Sequence, residues 1–311
     1  MPSIDFRKIW ISLLLALSVV VLSAPESRAD WRKDLGTFRL GMVESTAHQL
    51  SPTELLKVRD AFSKTLSMPV EIIQMRDFPA LIDAQASSRI EYAIYSAAAY
   101  STAWISCECV TPLVAPVGLN GSIGTRTALF LDKSVSLANL ATSKGIAISG
   151  KDSLTAFGVP LSEFVSANGA MKGDETWLKF FDSADAAIAA IKSGVADALF
   201  ASIPENQAIK QPLDPNDAVQ NALLTSGRDF VTVWRSQVIP FGPHAIRKNL
   251  NPQVKDLLAS FLVGLAASDP DLFELLSEPK AANFAPISAE TYAPSINAVR
   301  ALAAFSKQQK P

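Results

Sequence analysis

Two hydroxyl side chains, Ser153 and Thr155, follow the apolar run 146–148 and a glycine, Gly150, near the middle of the chain. This order predicts a strand that ends near Gly150 and a helix that begins at Ser153. The first amides of a helix have no intrahelical acceptor, and the helix dipole makes that end partly positive. These amides and the two hydroxyls could together hold an anion with neutral donors only. The alternative is that Ser153 is an ordinary N-cap of the helix.

Regular elements alternate along the chain on both sides of this segment. Ser51, a proline directly after it and Glu54 form the typical start of a helix. The segment after Asn251 predicts a long helix whose apolar stripe faces the core. The patterns predict strands at 38–42, 70–73, 92–95, 110–117, 127–131, 146–149, 198–200, 231–235 and 243–247, and further helices at 78–86, 153–167, 184–192 and 292–305. This alternation predicts parallel sheets in a doubly wound α/β architecture.

The amino terminus predicts export. Two basic residues precede an apolar run over 9–22, and a small-x-small sequence ends at Ala29. This layout is typical of a secretory signal peptide over residues 1–29, and the apolar run is shorter than the roughly 20 residues of a spanning helix. An uncleaved membrane anchor is the alternative. We therefore expect a periplasmic protein whose mature chain begins at Asp30.

Charge and metal-binding residues argue against several classes of function. The formal net charge of −2 gives no electrostatic reason to expect a nucleic acid or an anionic membrane as partner. Cys107 and Cys109 form a Cys-x-Cys pair, and His48 and His244 are the only histidines. We expect the cysteines to be locally structural or weakly redox-active rather than metal ligands. We assign neither histidine a catalytic role, and we expect no cofactor and no metal.

The motifs of common catalytic sites are missing from the sequence. It contains no Gly-x-Ser-x-Gly nucleophile elbow and no His-Glu-x-x-His zinc motif. Gly150 and Lys151 are followed by Asp152 rather than by the Ser or Thr of a phosphate loop. The glycines over 118–124 lack the spacing of a dinucleotide-binding loop. We therefore expect a protein that is not an enzyme.

Two regions could contribute charged ligand contacts. Glu44 and Ser45 follow the first predicted strand, where open α/β sheets place their ligand contacts. Glu44 could engage a cationic or hydroxyl group, and Ser45 could donate to an oxyanion. Arg126 and Arg235 could supply positive charge. The alternative for both arginines is a place on the surface or at a hinge.

Aromatic and hydroxyl side chains follow the third predicted strand. Tyr95 and Tyr100 could stack on a small ligand or hydrogen-bond to it, and Ser96 lies between them in the sequence. The alternative is that the two tyrosines belong to the hydrophobic core.

Four segments together carry a recognisable pattern. The first, 90–100, has an acidic residue, an apolar strand, a small-residue turn and a tyrosine, and the second is the hydroxyl-bearing helix start 153–156. The third, 187–198, is a helix followed by Gly-x-x-Asp-Ala, and the fourth, 233–240, is a strand that ends in Ile-Pro. In order and spacing they resemble the phosphate/phosphite/phosphonate-type (PhnD-like) periplasmic solute-binding proteins of ABC transporters. The resemblance spans nearly all of the mature chain.

The resemblance implies a type II periplasmic-binding-protein fold. In that fold two doubly wound α/β lobes are joined by two crossover strands and close on a ligand by a hinge motion. Lobe 1 would comprise residues 30–117 and 238–311, and lobe 2 residues 118–237. We expect such a hinged receptor to be a monomer.

The chain departs from the family pattern at positions that would contact the ligand. The family's Ser-Thr-Ser-Gly cradle corresponds to 153–156, where a leucine replaces one hydroxyl donor. Its Ser-His pair corresponds to Ser183 and an alanine, and its Glu after the Asp-Ala turn corresponds to Glu205. Gly242 lies where aminoalkyl-phosphonate binders have an acidic residue. The resemblance therefore implies a phosphonate-like ligand that is not an aminoalkyl phosphonate.

Three hypotheses for the function follow. The first is a receptor that captures a small oxyanion-bearing ligand and delivers it to an ABC permease. The second is a ligand sensor that presents its closed form to a membrane signalling protein. The third is an exported enzyme, which the missing catalytic motifs argue against.

Overall fold

The computed structural model describes residues 30–44, 49–165, 177–207, 211–278 and 280–308. Residues Thr37–Pro311 form one compact unit, and the short helix α1 (Trp31–Leu35) belongs to a separate unit, Met1–Gly36. The predicted signal peptide lies outside the described residues. Among the residues described, none of the helices is long and apolar enough to span a bilayer.

The first sheet has six strands and is built from both ends of the chain. Its strands are β1 (Phe38–Val43), β2 (Val70–Met75), β3 (Tyr92–Ile94), β4 (Val110–Gly118), β11 (His244–Arg247) and β12 (Ala281–Pro286), in the spatial order β12-β4-β11-β3-β1-β2. β1 pairs in parallel with β2 and β3, whereas β11 pairs antiparallel with β3 and β4. The carboxyl ends of β1, β2 and β3 therefore lie at one edge of this sheet.

The helices of the first sheet begin where their caps predict. They are α2 (Pro52–Leu66), α3 (Phe78–Ala86), α4 (Ala97–Cys107), α7 (Pro252–Ser268) and α8 (Pro270–Leu276). Ser51 and Glu54 form the predicted capping box of α2, because each side chain accepts a hydrogen bond from the other residue's amide. The predicted stripe of α7 is confirmed as core at Val254, Leu258, Leu262 and Leu265, which are buried.

The second sheet is built from the middle of the chain. Its strands are β5 (Gly124–Asp132), β6 (Ile146–Ser149), β7 (Leu178–Phe181), β8 (Ala198–Pro204), β9 (Phe230–Arg235) and β10 (Ile239–Pro240). β6 pairs in parallel with β7 and β8, and β5 pairs antiparallel with β8, β9 and β10. A π-helical stretch over Leu154–Gly158 and Pro160–Val165 follows β6, and the helices α5 (Ala184–Lys192) and α6 (Ala218–Leu224) follow β7 and β8.

Both sheets are mixed, whereas the sequence pattern predicts parallel sheets. The difference arises because the chain passes between the sheets twice. After β4 it enters the second sheet as β5, which runs antiparallel to β8. After β9 and β10 it returns as β11, which lies antiparallel between β3 and β4. The alternation of strands and helices does not encode these returning strands.

The two passages run close together where β10 pairs with β5. A Cβ atom on Gly124 would lie 2.1 Å from the main-chain oxygen of Ile239, so a larger residue there would force the strands apart. Arg126 also joins the passages, because its guanidinium donates to the main-chain oxygens of Glu205 at 3.0 Å and Ser236 at 2.6 Å. The main chain at this junction is therefore closely packed and cross-linked.

The last helix, α9 (Ala293–Gln308), contacts elements of both sheets. On one side it packs against α4, and Ile296 lies in the same apolar cluster as Tyr100. On the other side it packs against the π-helical stretch, where the rings of Phe305 and Phe157 have centroids 4.9 Å apart. The helix predicted at 292–305 is therefore present, and it joins the two halves of the fold.

A buried carboxylate lies at the amino ends of the first-sheet strands. Glu91 is fully buried before β3, and its carboxylate lies 2.6 Å from the guanidinium of Arg39 and 3.3 Å from that of Arg247. It also accepts the amide of Arg39 at 2.8 Å. This acidic residue of the 90–100 segment thus links β1, β3 and β11 at the edge opposite to the carboxyl ends of β1–β3.

The two cysteines are joined in a disulfide between the end of α4 and the start of β4. The Cα atoms of Cys107 and Cys109 lie 5.0 Å apart. This local link agrees with a structural interpretation of the pair.

Candidate functional site

A cavity of about 510 Å³ lies at the carboxyl ends of β1, β2 and β3. Its volume is in the range of small-molecule pockets, and strand carboxyl ends are where open α/β sheets bind their ligands. The described residues that line it come from the first sheet, its helices and the segment after α8. Its apolar walls include Met42, Leu50, Phe78, Ile94, Leu275 and Leu276.

Three of the residues proposed from the sequence line this cavity together: Glu44, Tyr95 and Ser96. Glu44 is exposed, and its carboxylate accepts a hydrogen bond from the side-chain amide of Gln49 at 3.0 Å. Ser96 is the N-cap of α4, and its hydroxyl accepts the amide of Ala99 at 3.2 Å. The amino end of α4 therefore opens towards the cavity at Ser96.

Tyr95 is the buried polar member of this group. Its side chain is only 3% exposed, and within the described ranges its hydroxyl has no hydrogen-bond partner. Burial raises the pKa of this phenol above its ordinary value, so the hydroxyl is protonated at neutral pH. A buried hydroxyl without a partner is costly, and a ligand atom would remove that cost.

Two polar residues of the cavity, His244 and Glu278, were not proposed from the sequence. His244 is buried in β11, and burial lowers its pKa to about 4. Glu278 is exposed just after α8, and partial desolvation raises the pKa of its carboxyl. Glu278 belongs to no recognised sequence motif. It reaches the cavity from the end of α8, a helix that the sequence pattern does not predict. For His244, the only sequence signal of a place in the cavity is its position in a predicted strand next to Gly242.

Gly242 fixes how closely β11 approaches the cavity. A Cβ atom at this position would lie 1.9 Å from the main-chain oxygen of Tyr95. No other residue fits here without a backbone shift, because the obstacle is main chain rather than a mobile side chain. The absence of an acidic side chain at this position therefore follows from packing.

The hydroxyl-bearing segment after β6 forms a capped helix start, as one of the two interpretations predicts. The hydroxyl of Ser153 accepts the amide of Ala156 at 3.1 Å. The main-chain oxygen of Thr155 accepts the hydroxyl of Thr127 at 2.7 Å, which fixes this turn to β5. As first residues of the stretch, Leu154 and Thr155 have amides without an acceptor inside their own helix. The cap interpretation and the anion-cradle interpretation are therefore compatible.

The amino ends of α4 and of the π-helical stretch meet at one small apolar cluster, which is formed by Val159, Ile239 and Ala298. Ala97, the first residue of α4, and Leu154, the first residue of the π-helical stretch, both pack against it. The caps Ser96 and Ser153 directly precede these two residues. Helix starts from both sheets are thus brought to the same region, and Leu154 contributes packing rather than a donor.

Other proposed residues of the second half have structural partners. Besides the bonds of Arg126 described above, the carboxylate of Glu205 accepts the amide of Ile123 at 2.7 Å. Arg235 donates to the main-chain oxygen of Gln207 at 2.7 Å. Ser183 is the exposed N-cap of α5. None of these side chains lines the cavity described above.

The two remaining proposed residues differ in what the structure says of them. Tyr100 is fully buried, and its ring centroid lies 4.6 Å from that of Tyr292. This position agrees with the core alternative, although the Tyr100 hydroxyl also has no partner in the described part of the chain. Ser45, like His48, lies outside the described residues.

The described residues contain no group of three His, Cys, Asp or Glu side chains that could hold a metal ion. The described lining of the cavity also includes no lysine or arginine. An anion at this site would therefore be held by amides and hydroxyls.

Comparisons with known proteins agree with this geometry. The protein XAC2383 from Xanthomonas citri, solved with bound ATP, is 16% identical, with a TM-score of 0.61 over 88% of this chain and 100% of that chain. The Mycoplasma hyorhinis protein Mh-p37 is 11% identical, with a TM-score of 0.53 over 84% of this chain and 98% of that chain. These likenesses support a type II periplasmic-binding-protein fold.

Sequence comparison goes further than the fold. Residues 40–292 match the family model described as "ABC transporter, phosphonate, periplasmic substrate-binding protein". The match begins within β1 and ends at Tyr292, and it therefore covers strands of both sheets. The chain belongs to the family of periplasmic substrate-binding proteins of phosphonate ABC transporters.

Proposed function

We propose that the protein captures a small oxyanion-bearing ligand between its two sheets and delivers it to an ABC permease. The ligand is phosphonate-like but is not an aminoalkyl phosphonate. The chain would close as two lobes, residues 30–117 with 238–311 and residues 118–237, about the passages at 118–124 and 235–244. Its family works with such permeases.

The observation that carries the proposal is the meeting of two helix starts at one cluster. Ala97 and Leu154 pack against the same apolar residues, and Ser96 and Ser153 cap the two helices. Helix amino ends stabilise anions through their free amides and the helix dipole. The guanidinium of Arg126 already donates to main-chain oxygens at the passages. The proposed oxyanion site therefore consists of neutral donors, the amides and serine hydroxyls at the two helix starts.

A thermal-shift panel tests the proposal on the chain after unfolding and refolding, which removes carried-over ligand. The panel contains phosphate, phosphite, sulfate, methylphosphonate, ethanesulfonate and 2-aminoethylphosphonate, with amino acids and sugars as controls. A ligand at 100 times its dissociation constant adds about 2.7 kcal/mol, which shifts the melting temperature by roughly 5 °C or more.

We expect one oxyanion class without an amine to give the largest shift. A response confined to amino acids or sugars would contradict the proposal, and so would a largest shift with 2-aminoethylphosphonate. Transport assays with the permease would then separate delivery from the alternative, presentation of the closed form to a membrane signalling protein.

A further inference from the structure

The disulfide between Cys107 and Cys109 takes no part in the proposed receptor function. These are the only two cysteines of the chain, and they flank Glu108 where α4 ends and β4 begins. Ser96, the cap of α4 in the proposed oxyanion site, lies at the opposite end of this helix, roughly 16 Å away along its axis. The chemistry of the disulfide is therefore separate from that of the ligand site.

The disulfide closes a very short loop. Glu108 is the one residue between the two cysteines. A disulfide stabilises a fold mainly by restricting the unfolded chain, and this effect grows with the length of the loop that it closes. A loop of this size restricts the unfolded chain very little. We therefore expect the bridge to contribute little to the stability of the fold.

Main-chain hydrogen bonds hold the same turn independently of the bridge. The amide of Glu108 donates to the main-chain oxygen of Trp104 at 2.7 Å, at the end of α4. The main-chain oxygen of Cys109 accepts the amide of Lys248 at 2.7 Å, next to the pairing of β4 with β11. The helix end and the sheet thus fix the positions of both cysteines, and the two sulfurs would stay close together after reduction.

The surroundings of the Cys107 sulfur suit a reduced cysteine as well as the bridge. Its Sγ lies 3.3 Å from the amide nitrogen of Cys109, which could donate to a thiolate. The same sulfur lies 3.5 Å from the main-chain oxygen of Ala103, which could accept from a thiol. Both protonation states of a free Cys107 therefore have a partner in place. The dipole at the carboxyl end of α4 favours the neutral thiol as the final state.

Thiols in solution have access to this turn. Cys107 and Cys109 are half-buried, whereas Ile105, Ser106 and Glu108 beside them are exposed. Exposed disulfides are the ones that exchange with thiols, whereas the usual structural bridges of exported proteins resist reduction. The access to the bridge, together with its small share in stability, is typical of a disulfide that can open and close in the folded protein.

We propose that Cys107 and Cys109 form a reversible thiol–disulfide exchange site for small thiols. The thiolate of the small molecule forms a bond to Sγ of Cys109, the bond between the two cysteines breaks, and Cys107 leaves as a thiolate beside the Cys109 amide. A second thiol molecule attacks the mixed disulfide, forms the disulfide of the small molecule and releases Cys109. Two electrons pass from the two thiols to the bridge, and their two protons end, through solvent, on the two cysteines.

Reduction of the folded chain by glutathione tests this proposal. The chain is incubated in buffers that range from mostly oxidised to mostly reduced glutathione, and its free thiols are then blocked with N-ethylmaleimide and counted by intact mass. We expect the count to rise from zero to two within this range, with a mixed disulfide in between. A bridge that stays oxidised in millimolar reduced glutathione, or that is reduced only in urea, would overturn the proposal.

Fragmentation of the peptide that carries the mixed disulfide locates the attacked sulfur. We expect glutathione on Cys109 and the maleimide on Cys107, because Cys107 is the proposed leaving thiolate. The reverse pattern would overturn this assignment of the two sulfurs.

A variant without thiols separates an exchange site from a structural bridge. Cys107→Ser combined with Cys109→Ser should take no maleimide and should melt within about 3 °C of the oxidised wild type, since the bridge adds little stability. The matched control is Ser106→Ala, an exposed position in the same turn, which should leave the response to glutathione unchanged. A double variant that fails to fold, or that melts far below the wild type, would show that the bridge is structural and would contradict the proposal.

Discussion

The imidazole Nε2 of His244 lies 3.0 Å from the main-chain oxygen of Leu276 at the end of α8. Because a carbonyl oxygen only accepts, Nε2 carries the proton, and the other ring nitrogen accepts from the hydroxyl of Tyr92. The neutral ring therefore ties β3 and β11 to the segment that supplies Glu278. Burial lowers the pKa of His244 to about 4, from an ordinary value of 6.5.

This contact predicts a loss of stability in mild acid. The lowered pKa means that the folded state disfavours the protonated ring, so the stabilisation is complete above pH 6.5 and is lost as the pH falls towards 4. The loss over that range is about 3 kcal/mol. Urea unfolding of the wild type and of His244→Gln between pH 7.5 and 4.5 measures it.

The difference in unfolding free energy between the two proteins should shrink by about 2–3 kcal/mol across that range. Tyr92, whose hydroxyl bonds to the ring, and the other titratable groups are present in both proteins, so their own titrations cancel in the comparison. Parallel pH profiles would contradict the prediction.

Glu91 is predicted to stabilise the first sheet without contacting the ligand. Glu91→Gln leaves the guanidinium groups of Arg39 and Arg247 without their carboxylate, and breaking a buried ion pair costs about 3–5 kcal/mol. Urea unfolding should show this loss, while ligand affinity is retained. Glu274→Gln, at an exposed position of α8, is the control and should change stability by less than about 0.5 kcal/mol.

Gly242 is predicted to be irreplaceable where β11 approaches the cavity. Gly242→Ala places a methyl group against the main-chain oxygen of Tyr95, and we expect a loss of about 1–3 kcal/mol together with weaker ligand binding. Gly264→Ala is a matched control, because its Cβ would meet nothing within 4 Å on the exposed face of α7. That change should raise stability by up to about 1 kcal/mol. Similar effects of the two substitutions on thermal unfolding would contradict this account.

The last helix is predicted to hold the two halves of the fold together. Phe305→Ala removes the ring that packs edge-on against Phe157 and should cost about 2–3 kcal/mol, because Phe305 is only partly buried. It should also raise protease sensitivity near the π-helical stretch. Leu224→Ala truncates an exposed side chain of α6 and serves as the control. Unchanged proteolysis of Phe305→Ala would show that α9 does not restrain this region.

Local patterns predicted most of the fold. The capping box at Ser51, the strand 146–149 and the helices at 78–86 and 184–192 are present with nearly the predicted bounds, because each has its own cap or apolar period. At the start of α4 the sequence pattern predicts only a small-residue turn, because the alanine-rich sequence has no amphipathic period. The sequence pattern does not predict β12, because its alanine and proline residues are not typical of a strand. It does not predict α8 either, because that helix is a single short segment.

The candidate site was less predictable than the fold. Glu44, Tyr95 and Ser96 could be proposed because they follow strand ends, and strand ends share an edge of the sheet. Glu278 and His244 reach the same cavity from distant segments, and only the antiparallel return of β11 and the turn after α8 bring them there. Arg126 illustrates the converse, because its charge suggested a ligand contact whereas its donors bind main-chain oxygens.

The most direct test of the oxyanion site is a calorimetric titration of the best oxyanion of the panel into the wild type, Ser96→Ala, Ser153→Ala and Asn251→Ala. Each serine caps a helix proposed to hold the oxyanion, whereas Asn251 caps α7 and controls for the loss of a cap. A lost hydrogen bond to a charged ligand costs about 1.5–3 kcal/mol, so we predict at least tenfold weaker binding in both serine variants and wild-type affinity in Asn251→Ala. Wild-type affinity in both serine variants would contradict the proposed site.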